Sequence, residues 1–388
     1  MLSTRRAFLR GLGAAAVALA LPMPLTSLTS AKAAPVGPAP GPRAEAAGLA
    51  QAAEWTVAAP ETPARRLFAP ASGALFAAPP SQLWRSDDGG ASWLPVTLPQ
   101  LREPDAAIEV DPTDHRIVYV DTPTGLQRTD DDAATWTTVL PTDRRALRIA
   151  ISPADPSVVY VVQASAASNE LWLQRSRDRG ASWETVEEQR QSPCGWSSLI
   201  LAPHPSDSSR VFRTDGCYAG RDLGDDLKES RDYGATWQTA FKPKTAFPYA
   251  ITGGSGAEPT RLYLAVNNDF RGGGSLLHTS SDDGATWAPI LENTGGGTMT
   301  GSKQPNVTIG GVAYNPMVPG TVYVGLNSKS DPYKPVDAAT VVATTDGGAT
   351  WTPLGQPFPH QINDLKLGID GQNLYVATAS NVMRLALA

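Results

Sequence analysis

The sequence predicts an all-β fold, a seven-bladed β-propeller, and three observations carry that expectation. One octapeptide pattern, Ser/Thr-x-Asp-x-Gly-x-Ser/Thr-Trp, recurs six times in 388 residues. Its tryptophans, at 93, 136, 183, 237, 287 and 351, follow one another at 43, 47, 54, 50 and 64 residues. Around each copy lie short β-type runs separated by turns, in a chain with 35 glycines and 34 prolines. Short strands repeating at a period of forty to fifty residues are the signature of propeller blades.

The chain opens with Arg5-Arg6, then an uncharged apolar run from Gly11 to Leu21, then Ala31-Lys32-Ala33. A basic start, a short apolar stretch and a small-x-small site describe a cleavable export signal over residues 1–33. The paired arginines followed by Phe8-Leu9 resemble the twin-arginine signal. The expected destination is periplasmic, cell-wall or extracellular. Residues 34–50, rich in Ala, Pro and Gly, read as a flexible leader, and 51–388 as the propeller. The formal charge of −6 becomes −10 once Arg5, Arg6, Arg10 and Lys32 are removed. That balance argues against nucleic acid as a partner. No later stretch has the length of a membrane span, and the expected state is a monomer.

The units follow in order. The first turn is Ser86 to Trp93, and the second, Thr129 to Trp136, has Ala133 where the others have glycine. The remaining turns are Ser176 to Trp183, Ser230 to Trp237, Ser280 to Trp287 and Thr344 to Trp351. The glycine supplies a positive φ in a tight turn. Asp88, Asp131, Asp178, Asp232, Asp282 and Asp346 accept hydrogen bonds within their own turns, a structural role. The tryptophan covers apolar surface between units. Second strands carry Tyr119, Tyr160, Tyr263, Tyr323 and Tyr375 at one position, and the irregular fourth unit has Phe212 there. The seventh unit, from Asp364 onward, lacks its outermost strand, and Glu54-Trp55-Thr56-Val57 reads as that strand moved to the front. The N-terminal strand is therefore expected to close the ring in the last blade.

The octapeptide is identified as the Asp-box, or BNR, repeat. The resemblance covers about residues 51–388, and it is similar to the propellers of sialidases, sortilin-type receptors, xyloglucan-cleaving glycosidases and photosystem II assembly proteins. A sialidase resemblance would imply an arginine triad, a tyrosine–glutamate nucleophile and an aspartate acid. The Phe/Tyr-Arg-Ile-Pro signature is absent, Arg65 to Pro70 being a poor match. Tyr218, Tyr249, Tyr314 and Tyr333 are the tyrosines left without a repeat position, and none has a glutamate partner nearby in sequence. Other glycosidases need two carboxylates flanking a bond.

The face opposite the octapeptide turns carries the long loops, longest in the fourth to sixth units. These hold the candidate ligand-binding residues Trp196, Tyr218, Arg221, Asp222, Asp226, Asp269, Arg271 and Tyr333. Arg65 and Arg148 read as equivalent positions of innermost strands that could bind an anion in the central channel. Pairing with Glu109 would explain one of them equally well. Cys194 and Cys217 flank the first two strands of the fourth unit, where a disulfide is expected. His115, His204, His278 and His360 are scattered, so neither a metal nor any other cofactor is expected. The leading expectation is a non-catalytic binding or assembly module for an extracytoplasmic protein or carbohydrate. The alternative is a glycoside hydrolase with its site on the loop face.

Overall fold

The computed structural model describes residues 28–29, 54–59, 63–165, 170–189, 200–214, 226–243, 246–268, 274–293, 306–329 and 335–387. Among these, every regular element is a strand, and seven antiparallel sheets form the blades of a propeller. No helix among them is long and apolar enough to cross a membrane.

Each blade runs from an innermost to an outermost strand, as in Arg145–Ile151, Val159–Ala164, Leu171–Ser176 and Glu184–Gln189 of the third. Burial follows that order. Second strands such as Val159–Ala164 are buried at every residue because a neighbouring blade covers each sheet face. The outermost Leu94–Pro95 of the first blade is exposed. In the last blade, Ile362–Leu367, Asn373–Thr378 and Val382–Ala386 are completed by Thr56–Ala59 from the N-terminal end of the chain. Thr56 pairs with Arg384 and Val57 with Met383, so the ring closes as expected. Leu28–Thr29 adds a short fifth strand to the outer edge of the fifth blade, against Glu292 and Asn293.

The apolar core is divided into seven clusters, one per blade interface. Between the second and third blades, for example, Ile117, Tyr119 and Leu126 meet Ile149, Val159 and Val161. Each octapeptide tryptophan packs on the interface with the preceding blade, and Trp55 supplies the seventh, between the sixth and last. The indole N–H of Trp55 donates to the Leu354 carbonyl at 3.0 Å, as Trp351 does to Ile290 and Trp136 to Thr97.

The octapeptide turn has one geometry throughout. In the first blade the Asp88 carboxylate accepts the Ser92 amide and hydroxyl and the Ser86 hydroxyl, while Ser86 Oγ accepts the Gly90 amide. Two successive residues take positive φ: Gly89 and Gly90 in the first turn, Asp132 and Ala133 in the second. Hydrogen bonds, first among them the hydroxyl of the seventh turn residue, hold Asp88, Asp131, Asp178 and Asp232 at pKa values of about 2.

Two predictions follow from these turns. Ala133 sits at φ 67 without glycine's freedom, so Ala133→Gly should raise the stability of the ring by roughly 1 kcal/mol in denaturant unfolding. The repeat aspartates are depressed below the ordinary carboxylate value of about 4. Their contribution is complete above that unfolded value and is lost as pH falls through the folded value near 2. Melting temperatures measured from pH 5 to pH 2 should fall across this window.

Candidate functional site

The innermost strands surround a central channel of about 800 Å3, lined by Arg65, Arg66, Asp105, Glu109, Arg145, Arg148, Tyr249, Asp364 and Lys366. The fourth and sixth blades contribute small or apolar residues to its wall, among them Ala202, Gly311 and Val312. Gly310 and Gly311 allow the last blade to come close. A Cβ on either would stand 2.1 or 2.7 Å from the backbone of Ile362 or Leu365. First strands enter the channel from the loop-bearing face, so Arg65, Arg148 and Tyr249 lie toward the mouth on that side. A second recess of about 350 Å3 opens there, lined by Arg65, Tyr249, Asn267, Thr308, Asn327, Gln361 and Asn363.

Register decides which arginines share a level. Arg148 lies two residues before Ala150, the partner of Tyr160, and Arg66 lies two residues before Phe68, the partner of Phe76. Arg66, not Arg65, is therefore the counterpart of Arg148, a correction of one residue. Arg66 donates to Glu109 at 2.7 Å and to the Ile108 carbonyl at 2.9 Å, and lies over the Phe68 ring. Arg65 instead forms a salt bridge at 2.7 Å with Asp105 on the rim of the mouth. Arg145 pairs with Glu103 at 2.9 Å beside it.

The channel groups are surrounded by protein yet still face channel water: the Arg66 side chain is 46% exposed. Burial pushes the Glu109 carboxyl above its usual range, against the pull of Arg66. Burial, reinforced by repulsion from Arg66, lowers the Arg148 guanidinium. Burial also pushes the Tyr249 phenol up to about 12, so it remains a donor near neutral pH. Its hydroxyl reaches the Gly310 and Asn363 carbonyls at 3.4 Å, the long limit of such bonds. Asp364 is tied down by the Leu67 and Leu365 amides and by Lys366.

Of the loop residues expected at a site, only Asp226 is described; it lies 3.8 Å from Lys242 at the foot of its loop. Trp196, Tyr218, Arg221, Asp222, Asp269, Arg271 and Tyr333 lie outside the described residues, as do Cys194 and Cys217. The repeat aspartates are bound within their turns, away from the channel. Among the described residues no group of His, Cys, Asp and Glu is arranged to hold a metal. The sequence offered Glu109 as the partner of a channel arginine, and the arginine it meets is Arg66, one residue from Arg65; Tyr249 as a channel residue was missed. The pairing of Arg66 with a residue 43 positions away has no local signal.

A second buried cluster joins the fourth and fifth blades. Arg210 and Glu229, 3% and 2% exposed, form a salt bridge at 2.5 Å, and Arg210 also binds the Asp283 carboxylate. His204 Nε2 lies 3.0 Å from Asp283, and its Nδ1 accepts the Ser206 amide at 3.3 Å. The order Ser206–His204–Asp283 resembles an acyl-transfer triad. However, His204 occupies the turn position where Asp111 and Asn315 accept the same i+2 amide in other blades. It caps a turn.

No family model matches the chain. A xyloglucanase from Paenibacillus sp. is 31% identical over 196 residues, covering 47% of this chain and 18% of that protein. The xyloglucanase Xgh74A from Acetivibrio thermocellus is 29% identical over 226 residues, 55% of this chain and 20% of its own length. The chain thus spans about a fifth of the curated relatives it matches. Among solved structures, the GH74 enzyme of Niastella koreensis aligns with a TM-score of 0.60 at 15% identity, covering 86% of this chain and 53% of that one. YCF48 bound to D1 peptide aligns at 0.56 and 13%, covering 87% and 95%. These structural likenesses show the shared propeller fold. The curated relatives are glycoside hydrolases by name, so the expectation of a non-catalytic module finds no support among them.

Arg210→Met leaves the Glu229 carboxylate and the Asp283 turn without their shared cation, and should cost about 3 kcal/mol in urea unfolding. Arg231, at 3.2 Å from Glu229, is the partner that limits the loss.

Proposed function

We propose that this chain is an exported, glycan-directed propeller of the glycoside hydrolase type, working on a β-linked polysaccharide of the xyloglucan class across the face opposite the octapeptide turns. The observation that carries this reading is the sequence match to xyloglucanases, which extends over about half of the chain. The repeat itself is of the Asp-box kind, and the twin-arginine leader would deliver the ring already folded.

Hydrolysis of a glycosidic bond needs a proton donor and a second carboxylate. Among the described channel residues Glu109 has the property of a donor, a carboxyl raised by burial beside an arginine that holds its position. Asp105, on the open rim, is a mouth carboxylate held by Arg65 at 2.7 Å. Glu109 would protonate the leaving oxygen, and Asp105 would act from the solvent side.

A second reading, glycan binding without cleavage, is favoured by one fact: the Glu109 carboxylate is already engaged by Arg66 at 2.7 Å. The processed chain, residues 34–388, should release reducing ends from xyloglucan, and Glu109→Gln should lower that release by at least ~100-fold. Retarded migration in xyloglucan-containing gels without release selects the second reading. Neither release nor retardation overturns both.

A further inference from the structure

In a chain whose formal charge is −6, the channel is lined by five cations, Arg65, Arg66, Arg145, Arg148 and Lys366, against three carboxylates, Asp105, Glu109 and Asp364. Such a reversal of sign within a low-dielectric wall concentrates anions there. Arg66 and Arg148 stand at the same level of their strands, on the first and third blades, and Tyr249 of the fifth blade lines the same channel. Glu109 and the Ile108 carbonyl hold Arg66, and Arg148 donates to the Leu147 carbonyl at 3.0 Å.

The recess at the mouth continues from this level. It shares Arg65, Tyr249 and Asn363 with the channel and adds the Thr308 hydroxyl and the exposed Gln361 amide, groups that suit sugar hydroxyls. Its volume of about 350 Å3 is at the lower end of small-ligand sites, which run from about 300 to 1,000 Å3. A polar recess that shares Arg65 and Tyr249 with the cation-lined channel suits a ligand that is polar on its outer side and anionic on its inner side.

We propose that this recess is a sugar-acid subsite: the ring of a uronic acid unit lies against Thr308 and Gln361, and its carboxylate reaches Arg66 and Arg148 with the Tyr249 hydroxyl as a third donor. Guanidinium groups match a planar carboxylate in geometry as well as charge. The Tyr249 hydroxyl, whose single proton is shared between two carbonyls at 3.4 Å, exchanges them for one charge-assisted bond. The carboxylate also separates Arg148 from the like charge of Arg66. The inference goes beyond the xyloglucan reading, whose sugars are neutral, and does not depend on hydrolysis, so the two fail separately: one is read by polymer cleavage, the other by monosaccharide binding.

The test is a calorimetric titration of the chain with D-glucuronate, with D-glucose and sodium acetate as parallel probes. Saturable one-to-one binding of glucuronate is expected, with no heat from glucose and weaker binding of acetate, which lacks the ring. Arg148→Gln should weaken glucuronate binding by about tenfold or more, as loss of a charge-assisted hydrogen bond does, and Arg148→Lys should restore part of it. Arg116→Gln removes the same charge from an exposed site beside Asp114 and should leave binding unchanged. Glucose binding as tightly as glucuronate, acetate equalling glucuronate, no saturation, or equal loss in Arg116→Gln and Arg148→Gln would each overturn the proposal. Circular dichroism of each variant confirms that the ring is intact, and if Arg148→Gln is unfolded, Tyr249→Phe supplies the decisive loss or its absence.

Discussion

Neither face of a blade can be buried by the blade itself, and the whole structure depends on that constraint. Every sheet is apolar on both sides through its second strand, so its stability resides in contacts with two neighbours. The seven clusters and the seven tryptophans are one solution repeated around a circle. The octapeptide turn serves it twice. It aims the tryptophan back over the preceding blade, and it offers a carbonyl from its positive-φ residue to that blade's side chains. Tyr119 and Arg128 donate to Arg179, Arg175 to Tyr233, and Tyr375 and Arg384 to Gly89.

Such a ring separates two jobs. One rim is locked by turns whose aspartates bind within the turn, and the other faces the long connections. Between them the channel wall is set by the innermost strands, where a single position per blade decides charge. Blades one, three and seven contribute cations at or near one level, and blades four and six contribute small or apolar side chains, so the channel is lopsided. The glycines at 310 and 311 narrow that side further by admitting the last blade's backbone.

How much of this was legible in the sequence follows from the physics of repeats. The blade count, the turn chemistry, the second-strand tyrosines and the displaced strand at Trp55 were all readable, because each answers a demand that recurs in every unit. Phe212 was readable as an irregular copy for the same reason, and it is buried like the tyrosines. The channel was not. Arg65 and Arg66 are adjacent, and in a strand adjacent residues point to opposite faces, so a shift of one reverses the assignment. Only the pairing of Phe68 with Phe76 fixes it. Tyr249 could be set apart by elimination from the repeat, but nothing local placed it opposite Arg148. The loop residues and the two cysteines belong to stretches without repeat constraints, where sequence offers composition and little more.

The strand Thr56–Ala59 has a mechanical consequence. It runs antiparallel to Val382–Ala386, with its leading residue beside Arg384 and its trailing residue beside Val382. Tension applied between the two chain ends at this seam would therefore load the hydrogen bonds one after another, from the Thr56 side inward, rather than all together. The seam is a zipper and not a shear joint, and the indole of Trp55, on the pulled side of Thr56, is drawn from its place against Phe358 before the seam opens. A ring of seven sheets thus has one whose outermost strand yields to a gentle, directional pull.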